Sequence, residues 1–142
     1  MSAKILIVED DPIILMSQQE IVSSLGYEVM ATARSGEVAI ELARQHTPDL
    51  ILMDVKLPGM IDGREAANRI RQTDNVPVIF VTAYGYAGQA AEGNIEGEDG
   101  ISYVIKPYTA QALDTEIRRL LHKTARQRPG QPARARQPRP CN

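Results

Sequence analysis

Residues 50–54 read Leu-Ile-Leu-Met-Asp. Four large apolar residues in succession indicate a strand that is buried on both faces, as in a parallel sheet, and this strand ends in the carboxylate of Asp54. Residues 5–8, Ile-Leu-Ile-Val, repeat the pattern and are followed by three acidic residues, Glu9 to Asp11. Acidic groups are therefore predicted at the ends of two buried strands.

Two later apolar runs also end in polar side chains. Residues 76–81 are followed by Thr82, and residues 101–105 are followed by Lys106 and then Pro107. In an open parallel sheet, ligands bind in the crevice beyond the carboxyl ends of the strands. The sequence therefore predicts that carboxylates, a hydroxyl and an ammonium group meet at one edge, where they suit a divalent metal and a phosphoryl group.

Helical signals alternate with the strand signals along the chain. The predicted strands are residues 4–8, 27–33, 50–54, 77–82 and 102–105, and the predicted helices are residues 12–25, 36–46, 64–72 and a last one capped by Thr109. This alternation indicates an α/β fold with a parallel sheet covered by helices on both faces. We expect a flavodoxin-like, doubly wound, five-stranded sheet of order 2-1-3-4-5.

Two segments depart from this pattern. Residues 85–100 hold five of the ten glycines, and because glycine weakens a helix by about 1 kcal/mol relative to alanine, we expect only a short, frayed or mobile fourth helix there. Residues 125–142 are rich in Arg, Pro and Gln and are predicted to be a disordered tail. The ordered domain is then residues 1–124.

Charge differs strongly between the domain and the tail. Residues 1–124 carry 18 acidic and 11 basic side chains, a net charge of −7, whereas residues 125–142 carry five Arg and no acid, a net charge of +5. Nucleic acid is not the natural partner of an acidic domain, and the tail would add only weak, salt-sensitive binding. We interpret the tail as a solvated extension.

The composition also bears on the compartment. Cys141 is the single cysteine, so no internal disulfide can form. The chain has no signal-peptide pattern, and no apolar run approaches the roughly 18 residues that span a bilayer. We expect a cytoplasmic protein without a membrane segment.

Each candidate residue has an ordinary structural explanation as well. The pair Glu9 and Asp10 can be an exposed turn that caps the next helix, and Asp54 can be a turn residue. Thr82 is common in strands, and Lys106 can be a surface lysine. Their shared position at strand ends favours the chemical interpretation, in which carboxylates bind Mg²⁺ and one of them attacks phosphorus.

Residues 3 to about 124 resemble the receiver domain of two-component response regulators, in particular the single-domain, chemotaxis-regulator-like members. The resemblance depends on four motifs taken in order. They are the acidic pair after the first strand, Asp54 followed by Leu57-Pro58-Gly59, Thr82-Ala83 after the fourth strand, and Lys106-Pro107 after the fifth.

The resemblance implies a phosphoacceptor and a magnesium (Mg2+) site. Asp54 would accept the phosphoryl group and also bind the metal. Asp10 would bind the metal directly, Glu9 would assist largely through water, and the backbone carbonyl of Lys56 would complete the protein ligands.

The resemblance also implies a switch. Lys106 would pair with the phosphoryl group, Thr82 would move toward it, and the ring of Tyr103 would turn into the space that Thr82 vacates. Tyr84 is bulky enough to shield the phosphoryl group, and we expect it to slow hydrolysis. The uncertain fourth helix would signal by an order–disorder change.

The implied function is phosphorelay signal transduction by a phosphoprotein. A histidine kinase or histidine phosphotransfer protein would donate the phosphoryl group, and the switched domain would bind a downstream protein target. The chain would not be an enzyme beyond slow hydrolysis of its own aspartyl phosphate, and we expect no DNA-binding output domain.

Two other classes stay open at this point. A phosphatase with an aspartyl nucleophile is one, although Lys56 stands where a second Asp is common in such enzymes. A phosphorylation-independent interaction module on the same scaffold is the other, and the complete set of acidic and basic residues argues against it.

Overall fold

Five parallel strands form one sheet in the computed structural model, which describes residues 2–83 and 100–126, with side chains through Lys123. The strands are β1 (Lys4–Val8), β2 (Glu28–Ala33), β3 (Leu50–Asp54), β4 (Val78–Thr82) and β5 (Ile101–Ile105). The described helices are α1 (Pro12–Ser24), α2 (Gly36–His46), α3 (Gly63–Arg71) and α4 (Ala110–Arg126). The strand order is β2-β1-β3-β4-β5, which confirms the predicted flavodoxin-like fold.

The apolar strands divide their side chains between two cores. Leu6 of β1 and Met53 of β3 point into a cluster that includes alanines of α2 and α3, such as Ala39 and Ala66. Neighbouring strand residues point the other way, into a second cluster built with α1 and α4. Because every residue of β3 is buried, this strand is covered on both faces, as its run of apolar residues predicts.

Short polar side chains start the helices close to the strand ends. Asp11 accepts hydrogen bonds from the backbone N–H groups of Ile13 and Ile14 at the start of α1. The predicted cap Thr109 is confirmed, since it accepts from the N–H of Ala112, and Ser35 accepts from the N–H of Val38 at the start of α2. The caps hold the first turns of α1, α2 and α4 in place.

Most element boundaries lie within one residue of their predicted positions. Helix α3 begins at Gly63, one residue earlier than predicted, because Asp62 serves as its cap. Helix α4 runs through Arg126, so the backbone of residues 125 and 126 continues the helix. The predictions for the glycine-rich segment 85–100, apart from Gly100, for Tyr84 and for residues 127–142 lie outside the described residues.

The described helices are either too short or too polar to cross a bilayer.

Candidate functional site

Three carboxylates meet at the carboxyl ends of β1 and β3. Glu9 directly follows β1, Asp10 comes next, and Asp54 is the last residue of β3. One oxygen from each of these side chains lies within 4.8 Å of the others. Glu9 and Asp54 are buried, whereas Asp10 is half-buried. The structure thus brings together the acidic residues that the sequence analysis selected for Mg²⁺.

Lys106 reaches the same cluster from the end of β5. Its Nζ lies 3.6 Å from Oδ2 of Asp54 and 3.7 Å from Oε1 of Glu9. The backbone N–H of Lys106 donates to the carbonyl of Thr82 at 2.8 Å, which joins the ends of β5 and β4. The peptide bond to Pro107 is cis. One ammonium group therefore lies close to two buried carboxylates.

Thr82 completes the predicted set at the end of β4. Its side chain is buried, and its hydroxyl donates to the carbonyl of Ala83 at 3.3 Å. A cavity of about 480 Å³ lies above the strand ends. Its lining includes Glu9, Asp10, Asp54, Lys56, Thr82 and Lys106. Six of the seven residues selected from the sequence therefore share one concave site.

The seventh selected residue, Tyr103, lies in β5 and is not part of this cavity lining. It is half-buried, and its ring stacks on Phe80 with a centroid distance of 5.3 Å and an interplanar angle of 26°. Tyr103 pairs with Phe80 across β4 and β5, and Thr82 is two residues further along β4. Its role in switching stays a prediction.

Burial shifts the acid–base behaviour of the carboxylates. Burial raises the pKa of Glu9 to about 7, and the negative charge of Asp54 contributes to the rise. The N–H of Asp11, which donates to Glu9 at 3.1 Å, and the charge of Lys106 oppose it. The pKa of Asp54 is also raised, again chiefly by burial, and Lys106 is the main opposing influence.

The raised pKa values of Glu9 and Asp54 indicate that the cluster carries more negative charge than its buried surroundings stabilise. A proton bound in the cluster relieves part of the repulsion between Glu9 and Asp54, and a divalent cation can take its place. Hard carboxylate oxygens are the ligands that Mg²⁺ prefers, and it commonly takes only one or two of them. The residues present therefore fit a Mg²⁺ ion.

The backbone of the loop from residue 55 to 62 is fixed at both ends as it leaves the site. The N–H of Lys56 donates to Oδ1 of Asp54 at 3.4 Å, and the N–H of Gly63 donates to the carbonyl of Val55 at 2.7 Å. A Cβ atom added at Gly63 would overlap the backbone carbonyl of Asp54. Only glycine therefore allows α3 to start so close to the end of β3.

Arg34 is a functional candidate that the sequence analysis missed. Its Nε and Nη2 both donate to the backbone carbonyl of Asp10, at 3.3 and 2.9 Å. Arg34 directly follows Ala33, the last residue of β2. The same attention to polar residues at strand ends, applied to β2, would have identified it.

Comparison with known proteins gives consistent results. The family described as "Response regulator receiver domain" matches residues 5–118. The transcriptional regulatory protein AfsQ1 of Streptomyces coelicolor is 41% identical over 123 residues, which are 87% of this chain and 53% of AfsQ1. PdtaR of Mycobacterium tuberculosis is 34% identical over 110 residues, which are 78% of this chain and 52% of PdtaR. The chain thus spans about half the length of these curated relatives.

Solved structures of similar chains share the fold. The signal receiver domain of a modulated diguanylate cyclase from Desulfovibrio desulfuricans superposes with a TM-score of 0.78 at 30% identity. That match covers 90% of this chain and the whole of the other. The receiver domain of PhyR from Erythrobacter litoralis gives a TM-score of 0.73 at 31% identity, covering 85% of this chain and 91% of the other.

Proposed function

Since this chain belongs to the response regulator receiver domain family, we propose that it works in a phosphorelay in which Asp54 accepts a phosphoryl group while Mg²⁺ is bound. Members of the family are phosphoacceptors rather than conventional enzymes. The donor in this proposal is the phosphohistidine of a histidine kinase or a histidine phosphotransfer protein. A carboxylate oxygen of Asp54 attacks phosphorus, the P–N bond breaks, and the imidazole leaves and takes up a proton.

One observation carries the proposal. The carboxylates of Glu9, Asp10 and Asp54 lie within 4.8 Å of one another, and the ammonium of Lys106 lies 3.6 Å from Asp54. A carboxylate nucleophile repels the negative oxygens of a phosphoryl group, so the reaction needs positive charge at this point. Glu9, Asp10, Asp54 and the backbone carbonyl of Lys56 would hold Mg²⁺, whose charge would offset that repulsion.

Two further side chains would act on the acquired phosphoryl group. Lys106 would remain as a fixed positive charge beside it. Thr82 now donates to the carbonyl of Ala83 and would exchange that bond for one to a phosphoryl oxygen. Tyr103, two strand positions away, would respond as the switch residue, and the phosphorylated state would bind a downstream protein.

An exposed apolar surface on α1 supports a protein donor. Ile13 and Met16 are 77% and 66% exposed, and Ile14 of the same helix lines the cavity. Large exposed apolar side chains beside a reactive site are typical of a protein–protein contact. We assign this surface to the phosphoryl donor, and we place the protein in the cytoplasm with that donor.

Transfer from a phosphorylated histidine phosphotransfer domain tests the proposal. Wild-type protein with Mg²⁺ should acquire a base-labile phosphoryl group, and Asp54→Asn should acquire none. Met16→Asp should slow transfer from the protein donor but leave phosphorylation by acetyl phosphate unchanged. Equal labelling of wild type and Asp54→Asn would contradict the proposed phosphoacceptor.

A further inference from the structure

Glu37 binds the loop that follows the phosphoacceptor, although it lies outside the cavity. It is exposed and sits in the first turn of α2. Its Oε2 accepts a hydrogen bond from the backbone N–H of Met60 at 3.0 Å. Met60 lies in the middle of the loop from residue 55 to 62, so one side chain links α2 to that loop across 23 positions of sequence.

The loop backbone approaches this carboxylate very closely. Gly59 has a φ of +99°, and a Cβ atom added there would lie 2.8 Å from Oε1 and 3.1 Å from Oε2 of Glu37. Next to Glu37, a Cβ atom added at Gly36 would lie 2.9 Å from Cγ1 of Ile61. Glycines at both places let the start of α2 and the loop pack without an intervening side chain.

The contact is electrostatic as well as steric. The pKa of Glu37 is lowered by its own N–H group and by the N–H group of Met60, with smaller contributions from the N–H of Ile61 and the charge of Arg69. An ionised carboxylate therefore faces the loop at neutral pH. Hydrogen bonds to ionised groups are shorter and about twice as strong as neutral ones.

The loop is thus held at three places. Gly63 fixes its end against Val55, Asp62 caps α3, and Glu37 holds its middle. Between the start of the loop and its hold on Glu37 lies Lys56, which lines the cavity. Lys56 lies four residues before Met60 in the same loop, so the contact with Glu37 can influence where the Lys56 backbone lies.

We infer that Glu37 is a positioning residue, whose carboxylate fixes the loop so that the backbone carbonyl of Lys56 is presented to Mg²⁺. This inference depends on the proposed function, because it assigns a role in the same metal site. Glu37 does not line the cavity, so it would act on the metal site through the loop.

The experiment compares Mg²⁺ affinity, by isothermal titration calorimetry, among Glu37→Ala, Glu37→Gln and a control, Glu41→Ala. Glu41 is on the same helix, is exposed, and contacts Arg44 and Gln45 of that helix. Supporting groups around a metal site change affinity by about tenfold or more when they are removed. We expect Glu37→Ala to weaken Mg²⁺ binding about tenfold. Glu37→Gln retains an acceptor oxygen and should recover most of the loss, and Glu41→Ala should match wild type.

Three further readouts separate positioning from general stability. In metal-free protein, hydrogen exchange at the Met60 amide should speed up in Glu37→Ala, while the unfolding midpoint in urea stays close to that of Glu41→Ala. Phosphorylation of Glu37→Ala by acetyl phosphate should be slow at low Mg²⁺. Its rate should return to that of wild type at saturating Mg²⁺.

Unchanged Mg²⁺ affinity in Glu37→Ala, or an equal loss in Glu41→Ala, would overturn the positioning role. A wild-type protein that binds no Mg²⁺ and takes no phosphoryl group would instead refute the proposed function. The two failures are therefore distinguishable.

Discussion

Replacing Glu9 by Gln should make the metal-free protein more stable at alkaline pH. Glu9 is only 1% exposed, and burial raises its pKa from 4.5 to about 7. Each unit of pKa difference corresponds to about 1.4 kcal/mol between the two protonation states. Keeping Glu9 ionised in the folded chain at pH 8 therefore costs on the order of 3 kcal/mol, and Glu9→Gln removes that cost.

The direction of the pH dependence follows from proton uptake. Between the ordinary pKa of 4.5 and the folded value of about 7, the folded chain binds more protons at Glu9 than the unfolded chain does. The free energy of unfolding of wild type should therefore fall as pH rises through this window, and should level off above it. Glu9→Gln has no proton to release, so the two proteins should be similar near pH 5 and differ most near pH 8.

Urea unfolding followed by circular dichroism in EDTA, at several pH values from 5 to 8, measures this difference. Glu20→Gln, an exposed carboxylate change on α1, serves as the control and should follow wild type. Adding Mg²⁺ at pH 8 should stabilise wild type more than Glu9→Gln, because the ion offsets the charge that the substitution removes. Parallel pH profiles for wild type and Glu9→Gln would show that ionised Glu9 does not destabilise the folded chain.

Three further substitutions test the backbone at Thr47, the packing at Gly63 and the charge of Lys106. Thr47 has a φ of +44°, which a β-branched residue rarely adopts. Thr47→Asn should therefore raise the free energy of unfolding by about 1 kcal/mol. A loss of stability in urea would contradict this. Gly63→Ala should lower that free energy by about 2 kcal/mol or more, because the new Cβ overlaps the carbonyl of Asp54; unchanged stability would show that the loop relaxes. Lys106→Met removes the positive charge beside Asp54 and Glu9. The free energy of unfolding of the metal-free protein at pH 8 should therefore fall by about 2 kcal/mol. The same variant should take phosphoryl groups from acetyl phosphate more slowly, and a wild-type rate would argue against the assigned role of Lys106.

The sequence predicts the sheet and the main site because both follow from local patterns. The residues that precede Asp54 in its strand are all apolar. This pattern alone predicts a strand that is buried on both faces, whatever elements pack against it. The carboxyl ends of parallel strands lie at the same edge of the sheet, and this rule alone predicts that the polar residues at the strand ends meet there. Thr82 and Lys106 were selected in this way.

The same rule would select Arg34 as a candidate, but it could not predict the partners of the supporting side chains. Arg34 reaches the carbonyl of Asp10 and Glu37 reaches the N–H of Met60, in each case more than twenty positions away. Their partners are backbone groups, which carry no residue-specific signal in the sequence. Such contacts depend on the relative placement of loops, and only the folded structure supplies it.

Chemical trapping of the phosphorylated residue tests the central claim most directly. Wild-type protein is incubated with acetyl phosphate and Mg²⁺, reduced with borohydride, digested and analysed by mass spectrometry, with Asp54→Asn and an EDTA-treated sample alongside. Reduction is expected to convert residue 54 to homoserine in the wild-type sample alone. Trapping at any other residue, or equal trapping in EDTA, would contradict it.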